Sequence, residues 1–357
     1  MNALLAVLLF SSPAQDDRKA IDRGLDCLVK AQGADGSWIC QQDGNFARFG
    51  GSPTRVFATS LAGWALLEHG ARPSGTAPCD VAVRRARDYI LAYIEEGQKT
   101  RLANPTWIFA MSGVFIARLQ GIERSDRNLQ AMRTTLRCLE EFVEKTDAWG
   151  HGRIDRPNLK LSIGYNDLAA ANNWVCVALS EIARAGIEVP APMLRRAVGY
   201  FAKTQYPSGG LAYNIEDRGK QANETTTLGE GRSVASLLAL MRLAPKSKET
   251  EVAKGYARKN LEKVITHHTP WLHLVAAGFA WDELGERKAF DAQFRRKILE
   301  HQDQDGSARP WNAGGNDFKA MADKDGEIGK PYMTSCFLLL LRPSGTKTPS
   351  RPSTPTK

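Results

Sequence analysis

The sequence predicts an all-α chain folded as a single (α/α)6 toroid, six outer/inner helix pairs around a central cavity. Three observations carry this. Alternating runs of β-branched residues are nearly absent, while apolar residues recur at helical spacing along most of the 357 residues. The helical segments alternate between charged on one side and apolar nearly all round. One loop is also written twice: QGADGSW at Gln32 to Trp38 and QDQDGSARPW at Gln302 to Trp311, both Gln-x-x-Asp-Gly-Ser.

Gly and Pro stops and Ser, Asp or Pro starts divide the chain into twelve helices. They run from about Asp17 to Gln32, Thr54 to His69, Asp80 to Glu96, Pro105 to Gln120, Asp126 to Lys145 and Asn166 to Ala185. The second half follows from about Ala191 to Gln205, Gly229 to Leu243, Ser247 to Thr266, Pro270 to Leu284, Glu286 to Gln302 and Pro331 to Leu341. Odd-numbered helices, such as APMLRRAVGYFAKTQ, have a wet face and a buried face. Even-numbered ones, such as TSLAGWALLEHG and RSVASLLALMRL, are apolar on most sides and must be buried. A pair of this kind cannot bury its faces alone, so the pairs stack, and six of them close into a ring. The twin loops are then equivalent elbows in the first and last pairs. QYPSGGLAYN (Gln205 to Asn214) is a looser third copy and TDAWGHGRI (Thr146 to Ile154) a degenerate fourth. Asp-Gly makes the tight turn, because Gly tolerates positive φ and Asp caps.

The apolar share of 43%, the charged share of 24% and a net charge of +9 describe an ordinary globular protein with a mild basic excess. No dense basic stripe with interleaved aromatics occurs, so nucleic acid is not an expected partner. The run ALLAVLLF followed by SSPAQ predicts a secretory signal peptide over residues 1–14, cleaved near Ala14, and a secreted or periplasmic protein. The lack of Lys or Arg before that run departs from the usual pattern. The run is too short to span a bilayer, so the chain is not expected to be transmembrane. The toroid is assigned to residues 15–342 and a solvated, disordered Pro/Ser/Thr-rich tail to 343–357. Of six cysteines, Cys138, Cys176 and Cys336 sit in apolar helices, where a thiol acts as a small hydrophobe. Cys40 and Cys79 lie in loops and can pair in an oxidising compartment; the sequence leaves this open.

Gln-x-x-Asp-Gly-x-Trp between an outer and an inner helix resembles the repeat motif of the squalene cyclase and prenyltransferase β-subunit superfamily. The resemblance covers the chain between leader and tail and is strongest at Gln32 to Trp38 and Gln302 to Trp311. It implies the toroid and a bracing role for Gln32, Asp35, Gly36, Trp38, Gln302, Asp305 and Gly306. The family's chemistry does not transfer. There is no Asp-x-Asp-Asp acid, no Asp-x-Cys zinc site and no Asp-Asp-x-x-Asp for magnesium and diphosphate. No metal and no cofactor is therefore expected.

Candidate functional residues fall at the starts of the even-numbered helices, where elbows would ring the mouth of the cavity. In GYNDLAAANNW, Asp167 is a candidate acid or base, and Tyr165, Asn172 and Asn173 are candidate ligand contacts. Capping and inter-helix hydrogen bonding are the plainer roles for these residues. In THHTPWLHL, His268 is a candidate proton donor or acceptor, with His267 and Trp271 beside it. The spacing does not suit a metal, and a polar helix end is the plainer role. Glu230 and Arg232 form a charged helix start, Arg55 is expected to point into the mouth, and Trp107 lies on an inner helix. The long loop from Trp311 carries Asp317 and leads to Tyr332.

The resemblance implies a ligand or partner in the central cavity, in enzymatic form a divergent terpenoid cyclase or prenyl-transfer enzyme. The alternatives are a polysaccharide lyase or hydrolase, since such enzymes also use α/α toroids, and a non-enzymatic interaction scaffold. The ligand is left as a small molecule, a lipid or a glycan, and catalysis and oligomeric state are left open.

Overall fold

A computed structural model describes residues 13–39, 53–97, 105–151, 167–220, 227–266, 269–311 and 324–343. It contains fourteen α-helices among these residues: α1 (Pro13–Ala31), α2 (Pro53–Glu68), α3 (Pro78–Gly97), α4 (Pro105–Ile122), α5 (Asp126–Glu141), α6 (Ala169–Arg184), α7 (Ala191–Thr204), α8 (Ile215–Lys220), α9 (Thr227–Leu243), α10 (Lys248–Lys259), α11 (Pro270–Glu283), α12 (Arg287–Glu300), α13 (Lys324–Ile328) and α14 (Lys330–Leu340). A 3-10 turn, Leu261–Thr266, follows α10, so the predicted ninth helix ends earlier than its sequence suggested. The short α8 and α13 were not foreseen. The residues before 13, where a signal peptide was expected, those after 343 and Cys40 lie outside the described residues, and Cys79 carries a free thiol.

The fold is the predicted (α/α)6 toroid. Helices α2, α4, α6, α9, α11 and α14 form an inner ring, each packed on the next, with α14 back against α2. The outer helices α1, α3, α5, α7, α10 and α12 cover them. Composition explains the layers: in α11 every residue from Pro270 to Trp281 is buried, whereas α10 buries only Thr250, Ala253, Tyr256 and Ala257. Ser125 caps α5 through Asn128 N–H and Ser247 caps α10 through Thr250 N–H, the orphan-donor chemistry that starts amphipathic helices.

Four elbows share one geometry, an antiparallel bridge closing each turn: Gln32 with Trp38, Val143 with Trp149, Gln205 with Leu211 and Gln302 with Ala308. Three elbow glutamines also reach forward to a main-chain carbonyl of the next outer helix: Gln32 to Ala82 (2.9 Å), Gln205 to Glu249 (3.0 Å) and Gln302 to Ala20 (2.8 Å). Gly36 and Gly306, at φ +88 and +86, lie so close to this helix that a Cβ would stand 2.5 Å from the carbonyl oxygen of Arg85 and 2.3 Å from that of Arg23. Only glycine meets both demands. Each elbow is also tied to its own inner helix: the main-chain N–H groups of Trp38, Trp149, Leu211 and Ala308 donate to the side chains of Thr59, Asn172, Ser233 and Thr334.

Candidate functional site

Because outer and inner helices alternate along the chain and the inner ones lie side by side, the inner helices start at the same end of the ring. Their N-terminal dipoles therefore point to one end. Helices α2, α4, α6, α11 and α14 carry no acidic residue in the first turn; only α9 does, with Glu230. The helix starts thus favour electron-rich groups at this end.

The far end is shut. Trp64 of α2 packs on Trp174 of α6 (ring centroids 6.3 Å) and on Phe279 of α11 (5.0 Å). Neither α6 nor α11 is a ring neighbour of α2, so these contacts cross the axis. Below them lies a web of buried charge. Arg118 sits over both Trp64 and Phe279 and pairs with Glu68 (3.0 Å) and Glu181 (2.8 Å). Glu181 also binds Arg242 at 2.6 Å, and Arg242 binds Glu283 at 2.7 Å. Burial opposes ionisation of Glu181, but the guanidinium charges of Arg118, Arg242 and Arg184 outweigh it and hold its carboxyl below the usual range. Arg342 pairs with Asp282 and stacks 3.4 Å above Phe279; burial pushes its guanidinium down to about 9. Trp64 and Trp174 are therefore a floor.

At the end where the inner helices start, an arc of aromatic side chains follows three consecutive helices. Tyr332 of α14 lies 6.0 Å from Phe57 of α2, which lies 6.4 Å edge-on from Trp107 of α4. Tyr332 is fully buried and Phe57 nearly so, whereas Trp107 keeps an accessible part. The indole N–H of Trp107 donates to Nδ1 of His151 in the α5–α6 elbow at 3.0 Å. Burial pushes the His151 imidazole down to about 4, so the ring is neutral at ordinary pH.

Two buried carboxylates hold neighbouring segments at this end. Asp325 accepts from the hydroxyl of Tyr332 (2.9 Å) and from the main-chain N–H of Trp271 (3.0 Å), one of the orphan donors at the start of α11. Asp167 does not cap α6, whose cap residue Leu168 makes no side-chain bond. Its two oxygens accept from the N–H of Ile215, which opens α8 (2.9 and 3.2 Å). Burial raises the Asp167 carboxyl above the usual range, against the Ile215 N–H and the Thr146 hydroxyl that favour its charged form. Asp167 and Arg232 also act on the phenol of Tyr200, which burial drives well above its ordinary range.

The other candidates take varied places. Asn172 is an elbow brace: its amide donates to the carbonyls of Trp149 (2.6 Å) and Leu168 (2.8 Å). Asn173 is buried, and its carbonyl oxygen has no partner among the described residues. Arg232 is buried against the ring of Tyr213 (4.9 Å) and donates to the carbonyl of Leu211. Glu230 pairs with Lys263. Arg55, expected in the mouth, has its guanidinium 3.6 Å from the elbow carboxylate of Asp35. Trp271 stands in the first turn of α11, with its side chain turned to the last elbow: its indole donates to Arg309 O (3.0 Å), and its ring meets Trp311 edge-on. Tyr165, His267, His268 and Asp317 lie outside the described residues. No cluster of three or more potential metal ligands occurs among the described residues, nor any helix long and apolar enough to cross a membrane. His151 is a site residue that sequence reading missed; its one signal was a histidine two residues after the elbow tryptophan Trp149.

No family model matches the chain, and no curated protein matches its sequence. Solved structures do. A cellobiose 2-epimerase from Spirochaeta thermophila superposes with a TM-score of 0.62 at 14% identity, over 92% of this chain and 96% of its own. A family 76 glycoside hydrolase from a bovine Bacteroides thetaiotaomicron strain gives 0.59 at 14% identity, over 91% and 77%. An inactive variant of the Salegentibacter α-1,6-mannanase, with two consecutive aspartates changed to asparagine and α-1,6-mannotriose bound, gives 0.58 at 12% identity, over 91% and 98%. At such identities the likeness is one of fold. A type II terpene cyclase from Scytonema reaches only 0.30, too low to support the implied cyclase kinship.

Proposed function

We propose that this chain is a carbohydrate-active α/α toroid that binds a neutral glycan in the opening at its inner helix starts. The observation that carries this reading is the aromatic arc ending in the partly accessible Trp107, with a neutral imidazole hydrogen-bonded to its edge. A sugar ring offers a C–H face that packs on an indole and hydroxyls that need hydrogen-bonding partners at its rim. The similar toroids support the reading: an epimerase named for cellobiose and two family 76 glycoside hydrolases, one holding α-1,6-mannotriose. This replaces the terpenoid reading. A carbocation pocket needs a dry aromatic cavity and a strong clustered acid, yet Trp64 packs on both Trp174 and Phe279 across the axis and Asp-x-Asp-Asp is absent.

For a hydrolytic or epimerising step the candidate acid is Asp167, whose carboxyl burial moves toward the range useful for proton transfer. A consecutive aspartate pair, the feature altered in the inactive mannanase, does not come to this opening. The chain's only adjacent aspartates, Asp16 and Asp17, start the outer helix α1, where Asp17 pairs with Arg295.

Calorimetric titration with cellotriose, α-1,6-mannotriose and farnesyl diphosphate tests the reading. At least one trisaccharide should bind, and Trp107→Ala should weaken it by about tenfold or more, the usual cost of losing an aromatic platform. Binding of the isoprenoid with no binding of either sugar would return the terpenoid reading to first place.

A further inference from the structure

The contact between Trp107 and His151 fixes more than a position. An indole nitrogen only donates, so Nδ1 of His151 accepts and carries no proton. The one proton of the neutral ring is then on Nε2. His151 makes no second hydrogen bond among the described residues, so this donor is not spent within them. The ring centroids stand 6.3 Å apart at 38°, and with the indole N–H as donor the imidazole sits at the indole edge and is not stacked on its face.

We infer that His151 is the polar contact for a sugar lying on Trp107, presenting Nε2–H as a donor to an oxygen of that sugar. The inference rests on the glycan reading above and deepens it by naming the specificity. A ring locked in this tautomer offers a donor and no acceptor. It takes an oxygen with a free lone pair, whether hydroxyl, ring oxygen or carbonyl, and rejects an ammonium group at the same place. Burial reinforces the choice, since an imidazole held at about 4 stays neutral at ordinary pH. The backbone also helps: His151 follows the bridge between Val143 and Trp149, and Trp149 is tied on both main-chain sides to Asn172. The donor is thus mounted on a braced turn, which lowers the ordering cost of binding.

The test uses the full chain labelled with nitrogen-15 at histidine. Side-chain spectra without ligand should show His151 as the Nε2–H tautomer; an Nδ1–H ring overturns the inference outright. Cellotriose and α-1,6-mannotriose are then added separately. The Nε2 resonance should shift with whichever sugar binds. His151→Asn keeps an acceptor at the Nδ1 position, so Trp107 stays held while the donor is lost. It should weaken sugar binding by about tenfold, the cost of one hydrogen bond to a ligand, with an unchanged melting temperature above pH 7. If a sugar binds but neither moves Nε2 nor responds to His151→Asn, the inference fails and the glycan reading survives. If neither sugar binds, both fall.

Discussion

The side-chain amide of Gln302 donates to the carbonyl oxygen of Ala20 at 2.8 Å, joining the last elbow to the first helix across 282 residues. The same amide donates to Gly306 O, and its oxygen accepts from Arg23 at 2.6 Å. This is the elbow-to-next-helix link that Gln32 makes to Ala82, used here to close the ring. Gln302→Ala should lower unfolding free energy by about 2 kcal/mol, since it loses the two part-buried hydrogen bonds of its amide and the exposed one from Arg23. Urea denaturation checks this. A change below about 0.5 kcal/mol would mean that closure rests on helix packing alone.

Gly306 faces two constraints that can be separated. Its φ of +86 penalises any side chain, and a Cβ would stand 2.3 Å from the Arg23 carbonyl oxygen. Gly285 has φ +72 and open space around it. Gly285→Ala should cost about 1 kcal/mol, the left-handed penalty alone, and Gly306→Ala about 3 kcal/mol or more. Equal costs in parallel chemical denaturation would show that the close approach relaxes freely.

Asn172 stands where the other bridged elbows use Thr59, Ser233 and Thr334. It does more than they do, because it also donates to two carbonyls. Asn172→Ala should destabilise by about 2–3 kcal/mol through buried groups left unmet. Asn172→Thr should recover part of this by restoring an acceptor for Trp149 N–H. A stability series of the two variants decides it.

Glu181 is buried among Arg118, Arg184 and Arg242. Glu181→Gln keeps the shape and removes the charge, leaving buried guanidinium groups short of a counter-charge. The expected loss is about 3 kcal/mol, read as a fall in the denaturation midpoint. Unchanged stability would show that the remaining carboxylates suffice.

His151 predicts a pH effect with a definite sign. Its folded value of about 4 lies below the ordinary 6.5. Between these values the unfolded chain binds a proton that the folded chain does not. Its contribution is therefore complete above pH 6.5 and is lost as pH falls toward 4. Going from pH 7.5 to pH 5 should cost the wild-type protein about 1–2 kcal/mol more than His151→Asn. Parallel slopes in thermal scans of the two proteins would contradict the burial that lowers this group.

The ring and its order were legible because helical periodicity and apolar character alternate along the chain, and because Gln-x-x-Asp-Gly-Ser writes the same turn at Gln32 and Gln302. The elbow at Val143 was legible only through Trp149; with no glutamine to reach forward, its likeness lies in the bridge rather than in the letters. Helices α8 and α13 were illegible, being too short to show a period. Their starts and neighbours depend on Asp167 and Asp325, whose main-chain partners lie 48 and 54 residues away. The candidate site was legible only in its location at the inner helix starts. Trp271 and Asn172 read as cavity residues because their helices do face inward, yet their side chains turn back to the elbows. His151 escaped notice because its meaning comes from Trp107, 44 residues earlier.

Trp64, in contact with both Trp174 and Phe279 across the axis, plugs the ring at that level, so the toroid is not a through-channel. A long polymer therefore cannot thread the ring from one end to the other.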